Sequence, residues 1–358
     1  MTNNSKNVLN YMFGSGAIDN LKDILDKKID NGYIVYYIDE YFKDSDLVDK
    51  LPINKKDELF FVQTKDEPKT DKIDELKETL VTLNKITPKA IVAIGGGTTL
   101  DTGKAIANLL TNDGKAEDYQ GWDLVKNPAI YKIGIPTISG TGAEASRTCV
   151  MTNSKSGLKL GMNSDFTIYD QLILDPNLTK TVPREQYFYT GMDTYIHCIE
   201  SLNGNYRNAI GDAFSHQAIE LCREVFLSDD MMSDENRQKL MVASYLGGCA
   251  IANSFVGVIH PFSAGLSVVL ETHHCIGNCI TMNAMEEFYP KEYQEFFKMA
   301  EKQQIEIPKG IATDFDDETY LKLYNATVIH QKPLSNALGD NFKEILTLDK
   351  VTEIFKKM

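Results

Sequence analysis

The sequence predicts an α/β N-terminal half followed by an all-α C-terminal half, with the boundary near residue 180. Three observations carry this expectation. Short apolar runs of strand length alternate with stretches in which Leu and Ile recur at helical spacing. One of those runs passes through three glycines straight into a helix-forming segment. Beyond Pro183 the pattern is helical almost without interruption. A length of 358 residues makes two domains the default.

Taken in order, Ile18, Leu21, Ile24 and Leu25 form a first helical stripe. Tyr33 to Ile38 is a buried strand ending at Asp39, and Leu59 to Val62 is a second short strand. Lys65 to Lys72, of mixed charge, is expected to be a solvated loop. Ile73, Leu76, Leu80 and Leu83 then repeat at helical spacing, which means core packing. Ala90 to Ile94 leaves no room for a polar face and runs into Gly95-Gly96-Gly97-Thr98-Thr99-Leu100-Asp101 and a helix containing Lys104. Strand, glycines and helix in that order suit a phosphate, because glycines admit it to the backbone and a helix start offers free N–H groups. A plain tight turn could use the same residues, and GxGxxG is not present here. Asp39 could accept hydrogen bonds from a ribose and repel a 2′-phosphate, or simply cap a turn.

Ile133 to Pro136 is another strand, and Thr137 to Ser146 clusters hydroxyl residues and glycines in a loop suited to a cofactor. Cys149–Thr152 and Thr167–Leu174 are expected to form a hairpin or paired strands closing this half, with Lys159 as the cation of interest. Asp175-Pro176 marks the approach to the boundary. Helical stripes follow at 187–203, 209–227, 235–259 and 262–270.

Within the first of these, Asp193 and His197 are four residues apart, so a helix brings both to one face. That is half of a metal site, or a surface Asp beside a packed His. His260, His273 and His274 supply candidates for the other half. One Asp with three His suits Fe2+ or Zn2+ equally. Adjacent helical residues point about 100° apart, so His273 and His274 are not expected to share one ion. His216 and His330 lack partners at ligand spacing.

Bulk properties exclude some classes. A net charge of −14, from 37 basic and 51 acidic residues, argues against nucleic acid or an anionic membrane as main partner. Leu240 to Ile259 is uncharged, but its serines, asparagine and glycines favour a helix buried in a domain over a membrane span. The six cysteines form no CxxC pair, and the polar start is not a signal-peptide pattern, so a cytoplasmic location is expected.

Phe13-Gly14-Ser15-Gly16, Gly95 to Asp101, Pro136-Thr137 with Gly140-Thr141-Gly142-Ala143-Glu144, Asp175-Pro176 and Gly191 to Ser201 occur in one order along nearly the whole chain. In this the sequence resembles the iron-containing (group III) alcohol dehydrogenases. The resemblance implies a Rossmann-like, dinucleotide-binding domain with a parallel sheet over residues 1–180. It also implies an all-helical, metal-binding domain over 181–358, with the active site in the cleft between the two. The metal ligands it implies are Asp193, His197, His260 and, fourteen residues on, His274. The cofactor contacts it implies are Asp39, Gly96, Gly97, Thr98, Asp101, Thr137, Thr141 and Lys159, with NAD favoured over NADP. A homodimer is expected on the same ground.

Departures from the family pattern concern the surroundings of the metal. Ala264 stands where many members carry a histidine for proton relay or substrate contact, and Pro261 and Cys275 replace glycines. His273, or water, is then the proton carrier. Ala145 to Cys149 and Glu200 to Arg207 are similar to the branch that oxidises the terminal alcohol of the sugar acid 3-deoxy-D-manno-octulosonate, ahead of an aminotransferase. That branch belongs to amino-sugar synthesis for lipopolysaccharide. Arg147 and Arg207 are the candidate cations for the sugar acid's carboxylate. The resulting expectation is metal-dependent oxidation of a small-molecule primary alcohol to an aldehyde, with hydride transfer to a nicotinamide. A dehydroquinate-synthase-like lyase using NAD transiently, or a non-catalytic nucleotide-binding protein, are the alternatives.

Overall fold

A computed structural model describes residues 5–65, 67–84 and 86–358. The strands are β1 (Asn10–Phe13), β2 (Ile34–Asp39), β3 (Glu58–Val62), β4 (Ala90–Gly95), β5 (Gly121–Trp122), β6 (Lys132–Pro136), β7 (Thr148–Thr152), β8 (Lys159–Asn163) and β9 (Gln171–Leu174). The helices of the first part are α1 (Leu21–Lys28), α2 (Asp46–Asp49), α3 (Thr70–Leu83) and α4 (Gly97–Leu109). Those of the second part are α5 (Arg184–Leu202), α6 (Ala209–Phe226), α7 (Asp234–Asn253), α8 (Ile259–Leu270), α9 (His274–Thr281), α10 (Pro290–Lys302), α11 (Asp317–Val328), α12 (Gln331–Leu338), α13 (Phe342–Ile345) and α14 (Leu348–Phe355). Two compact units result: residues 1–138 with 143–181, and residues 139–142 with 182–358.

The first unit is built on a six-stranded parallel sheet of order β1-β9-β6-β4-β2-β3. Strands β2, β4 and β6 are buried along almost their whole length, as apolar runs without alternation require in a sheet covered on both faces. From β2 the chain steps outward to β3, then returns to the other side of β2 as β4 and continues to β6 and β9. The order therefore reverses between β2 and β4, and crevices at such reversals, outside the carboxyl ends of the strands, are where ligands bind. Helix α4 lies close on the sheet because Gly103 has no side chain: a Cβ there would sit 2.8 Å from Ala93 Cβ.

Two expectations for this half are corrected. Strand β7 pairs not with residues 167–174 but antiparallel with β8, in a small sheet of order β5-β8-β7, while β9 joins the main sheet. The segment 159–163, Lys-Leu-Gly-Met-Asn, is too polar and too rich in turn residues to announce itself as a strand. The loop expected over 65–72 is already helix from Thr70, whose buried hydroxyl accepts the Ser154 N–H at 3.1 Å. Asp66 lies outside the described residues. Of the α3 stripe, Ile73 and Leu80 are buried and Leu83 is exposed.

The second unit is helical. Helices α5 and α7 are buried over most of their length, which explains the absence of charge from 240 to 259. The single long stripe expected there is broken at Ser254, and α8 begins at Ile259. Among the described residues no helix is long and apolar enough to cross a membrane. The six cysteines are buried and form no disulfide. Residues 139–142 dock on this unit: Gly140 N donates to Ser244 Oγ at 2.8 Å and Gly140 O accepts from Thr194 Oγ1 at 2.7 Å.

Candidate metal centre and nucleotide turn

Helix α5 carries Asp193 and His197 one turn apart, both buried. His260 enters from the first turn of α8 and His274 from the first residue of α9. The four converge. His197 Nε2 is 3.7 Å from Asp193 Oδ1, His260 Nε2 is 3.4 Å from the same oxygen, and His274 Nε2 is 3.6 Å from Oδ2. The His197 and His260 rings stack with centroids 4.6 Å apart.

Burial acts to raise the Asp193 carboxyl, but the imidazoles of His197, His274 and His260 together outweigh it and hold it well below the usual carboxylate range. Burial pushes His197 down to about 4, toward the neutral form that ligates metal. His260 is also buried, yet the carboxylates of Glu200 and Asp193 carry it up to about 9.

The donor set fits a divalent cation. Ligand atoms at about 2.0–2.1 Å from a tetrahedral ion stand roughly 3.3 Å apart, close to the separations seen here. One donor atom each from Asp193, His260 and His274 lie within 4.8 Å of one another. A buried carboxylate ringed by imidazoles has acceptor capacity that a cation would satisfy.

Two neighbours complete the centre, and sequence reasoning had assigned neither. Glu200 places one carboxylate oxygen on His260 Nδ1. Asn278 Nδ2 donates to Asp193 Oδ1 at 2.6 Å and lies 3.3 Å from the Nε2 atoms of both His260 and His274. Spacing held the signal: 193, 197 and 200 follow i, i+4, i+7, and 274 and 278 follow i, i+4. Cys275 Sγ also reaches Asp193 Oδ2, at 3.7 Å. His273 is the exposed N-cap residue of α9 rather than a member of the cluster. Ala264 is buried within α8, His216 is exposed on α6, and His330 precedes α12.

In the first unit, Gly96 is the N-cap of α4, with Gly97 and Thr98 opening the helix. No side chain caps it, and these three residues are half-buried while Gly95 and Thr99 on either side are buried. The helix start thus presents N–H groups not capped by any side chain of its own, which suits a pyrophosphate, while the Gly96 N–H also bonds the Asp39 carboxylate. Asp39 ends the adjacent strand; its carboxylate accepts from Tyr41 N at 3.0 Å and Thr64 Oγ1 at 3.2 Å, while burial raises its pKa. Thr137 N donates to Gly95 O at 3.1 Å, so Thr137 borders the same turn.

Asp101 points inward from α4. Its Oδ2 accepts Val150 N at 2.9 Å, and Oδ1 is 3.7 Å from the fully buried ammonium of Lys104. Burial raises Asp101 to about 6. Lys104 in turn donates to the carbonyls of Ser146 and Thr148 at 3.1 and 2.8 Å. Lys159 lies on β8, paired with Glu67. Thr141 belongs to the docked tetrapeptide of the second unit.

Comparison with known proteins agrees with this geometry. Residues 9–176 match the family model described as iron-containing alcohol dehydrogenase, and residues 187–321 match the C-terminal model of the Fe-containing alcohol dehydrogenase family. The chain is 36% identical to sulfoacetaldehyde reductase of Bilophila wadsworthia over 188 residues, 51% of this chain and 48% of that protein. It is 33% identical to NAD-dependent methanol dehydrogenase of Bacillus methanolicus over 196 residues, 54% of this chain and 51% of that one. The matched region thus spans about half the length of these curated relatives. The structure of sulfoacetaldehyde reductase from Bifidobacterium kashiwanohense in complex with NAD+ superposes with a TM-score of 0.82 at 21% identity, covering 99% of this chain and 98% of that one, a likeness of fold. Since the two family models follow one another along most of the sequence, and the second contains Asp193, His197, His260 and His274, the chain belongs to the iron-containing alcohol dehydrogenase family.

Proposed function

We propose that this protein oxidises a primary alcohol to the aldehyde, passing a hydride to NAD and releasing a proton. The observation that carries the proposal is the buried Asp193 carboxylate with three imidazoles around it, in a chain of this family. A divalent ion, Fe2+ or Zn2+, would supply Lewis acidity toward the substrate hydroxyl, and NAD would supply the hydride acceptor.

The chain's own residues do the rest. Asp193, His197, His260 and His274 are assigned to hold the ion, Asp193 contributing the negative charge. The N–H groups of Gly96, Gly97 and Thr98 are assigned to the pyrophosphate. Asp39 accepts from the ribose hydroxyls and disfavours a 2′-phosphate, so NAD is preferred to NADP. Thr137, Thr141, Asp101 and Lys159 complete the nucleotide surroundings, Asp101 by way of its hold on Val150. His273, exposed beside His274, is assigned to carry the released proton to water at a ring nitrogen. The protein is proposed to act as a homodimer, which light scattering tests.

A small primary alcohol is the favoured substrate class, since the relatives' names point to sulfoacetaldehyde, methanol and 1,3-propanediol. The sugar acid is the narrower alternative and rests on sequence resemblance. Arg147 is paired with Asp123 and Asp165, and Arg207 with Asp212, so either would have to leave an ion pair to meet a substrate carboxylate.

The test is NADH formation across a panel of small alcohols and sugar acids, with Fe2+ or Zn2+ supplied. Turnover with at least one alcohol, and its loss together with bound metal in Asp193→Ala, is the expected result. Absence of net NADH with every alcohol would refute it and favour the lyase alternative.

A further inference from the structure

The side chain of Glu200 is fully buried, and its one carboxylate serves two structures. Oε1 accepts the backbone N–H of Ile259 at 2.5 Å and that of His260 at 3.4 Å, the first two residues of α8. Oε2 meets Nδ1 of the His260 ring. An ionised carboxylate only accepts, so Nδ1 carries the proton.

The surroundings at the other end of the ring are compatible with this. Asn278 must turn its NH2 group toward Asp193 Oδ1, 2.6 Å away, because that oxygen cannot donate. The same NH2 lies 3.3 Å from His260 Nε2, as from His274 Nε2, a placement that suits an accepting Nε2. In the neutral ring that can ligate an ion, the proton therefore sits on Nδ1 and the lone pair on Nε2, the atom that faces Asp193. Only a nitrogen with a free lone pair can ligate an ion.

We propose that Glu200 is a positioning residue that locks His260 in the Nδ1–H tautomer and so sets the metal affinity of the Asp193–His260–His274 cluster. The proposal rests on the metal-binding reading given above. It also explains why one helix carries both parts: Asp193 and Glu200, seven residues apart, lie on one face of α5, so ligand and orienter move as a rigid body.

Glu200→Gln separates the two duties. Glutamine keeps the shape but has one acceptor oxygen where two donors, Ile259 N–H and His260 Nδ1–H, require one each. If its oxygen stays on the α8 backbone, its NH2 group faces Nδ1 and drives the proton to Nε2, where it blocks ligation. If the amide is reversed, NH2 faces the backbone N–H groups and α8 loses its cap. Orienting carboxylates of this kind are worth 10–100-fold in metal affinity.

The experiment is Zn2+ affinity by chelator competition, together with the visible spectrum of the Co2+-loaded protein, for wild type, Asp193→Ala, Glu200→Gln and Glu200→Asp. Glu200→Gln is expected to bind Zn2+ about 10–100-fold more weakly. It should also show an altered Co2+ spectrum, with the metal-free melting temperature close to wild type. Glu200→Asp keeps two acceptor oxygens and is expected to recover part of the affinity; it gives the same reading should Glu200→Gln fail to fold. In a His260→Ala background, Glu200→Gln should have no further effect on Zn2+ affinity. Wild-type affinity and spectrum in Glu200→Gln, with Asp193→Ala unable to bind, would overturn the proposal. So would a lowered metal-free melting temperature with unchanged affinity. Zn2+ binding that survives Asp193→Ala would instead remove the metal reading itself, a result distinguishable from either.

Discussion

Lys132, the first residue of β6, is expected to destabilise the protein at neutral pH, and replacing it with methionine should stabilise it. Its side chain is 2% exposed and its ammonium has one carboxylate nearby, Asp170 Oδ2 at 3.6 Å. That oxygen already accepts the Lys132 backbone N–H at 3.0 Å. Burial pushes the ammonium down from 10.5 to about 8, against the pull of Asp170 and with help from the charges of Lys6 and Lys104. A shift of that size corresponds to about 3 kcal/mol. The sign follows from proton binding. The folded protein holds this proton more weakly than the unfolded chain, so the side chain's contribution is intact above 10.5 and is lost as pH falls through about 8. At pH 7 nearly the whole penalty applies, and by pH 10 less than about 1 kcal/mol remains.

Methionine has a similar length and does not titrate. Lys132→Met should therefore gain up to about 3 kcal/mol over wild type at pH 7, and that margin should shrink by roughly 2.5 kcal/mol by pH 10. Urea unfolding followed by the fluorescence of Trp122 measures this directly, because the chain's single tryptophan lies in the same compact unit. The change in margin with pH is the decisive quantity, since lost packing or a stranded Asp170 would offset both pH values alike. A margin that does not move with pH would refute the reasoning.

Three further outcomes are expected. Gly140 has φ +143°, and a Cβ there would lie 1.7 Å from Thr190 O, so Gly140→Ala should lose more than about 3 kcal/mol, read as a large drop in melting temperature or in soluble yield. Gly103→Ala places a methyl 2.8 Å from Ala93 Cβ at the α4–sheet contact and should lose about 1–3 kcal/mol by urea unfolding, a milder effect because this contact is 2.8 Å to a methyl rather than 1.7 Å to backbone. Asp39→Gly should raise the ratio of kcat/KM with NADP to that with NAD by at least about tenfold, since it removes the charge facing a 2′-phosphate; an unchanged ratio would remove Asp39 from the ribose site.

The sequence by itself determined whatever depends on local periodicity. Apolar runs at 33–38 and 90–94 have the length and composition of strands buried on both faces, and the four-residue step from Asp193 to His197 puts both side chains on one face once that segment is helical. The break after Ile94 into three glycines likewise marked the turn at the head of α4. Tertiary structure decided what depends on partners distant along the chain. Taken alone, the pair His273-His274 left open which ring meets Asp193; the start of α9 makes the first a helix cap and brings the second to 3.6 Å. By sequence Arg147 is a candidate cation for a carboxylate or a surface arginine; folding pairs it with Asp123 and Asp165. Glu200 and Asn278 were visible only as polar residues at helical spacing, because an acid becomes an orienting group only when a histidine sixty positions later is folded against it. The period of a helix or strand is written into neighbouring residues, whereas the geometry of a site is fixed by which elements pack together.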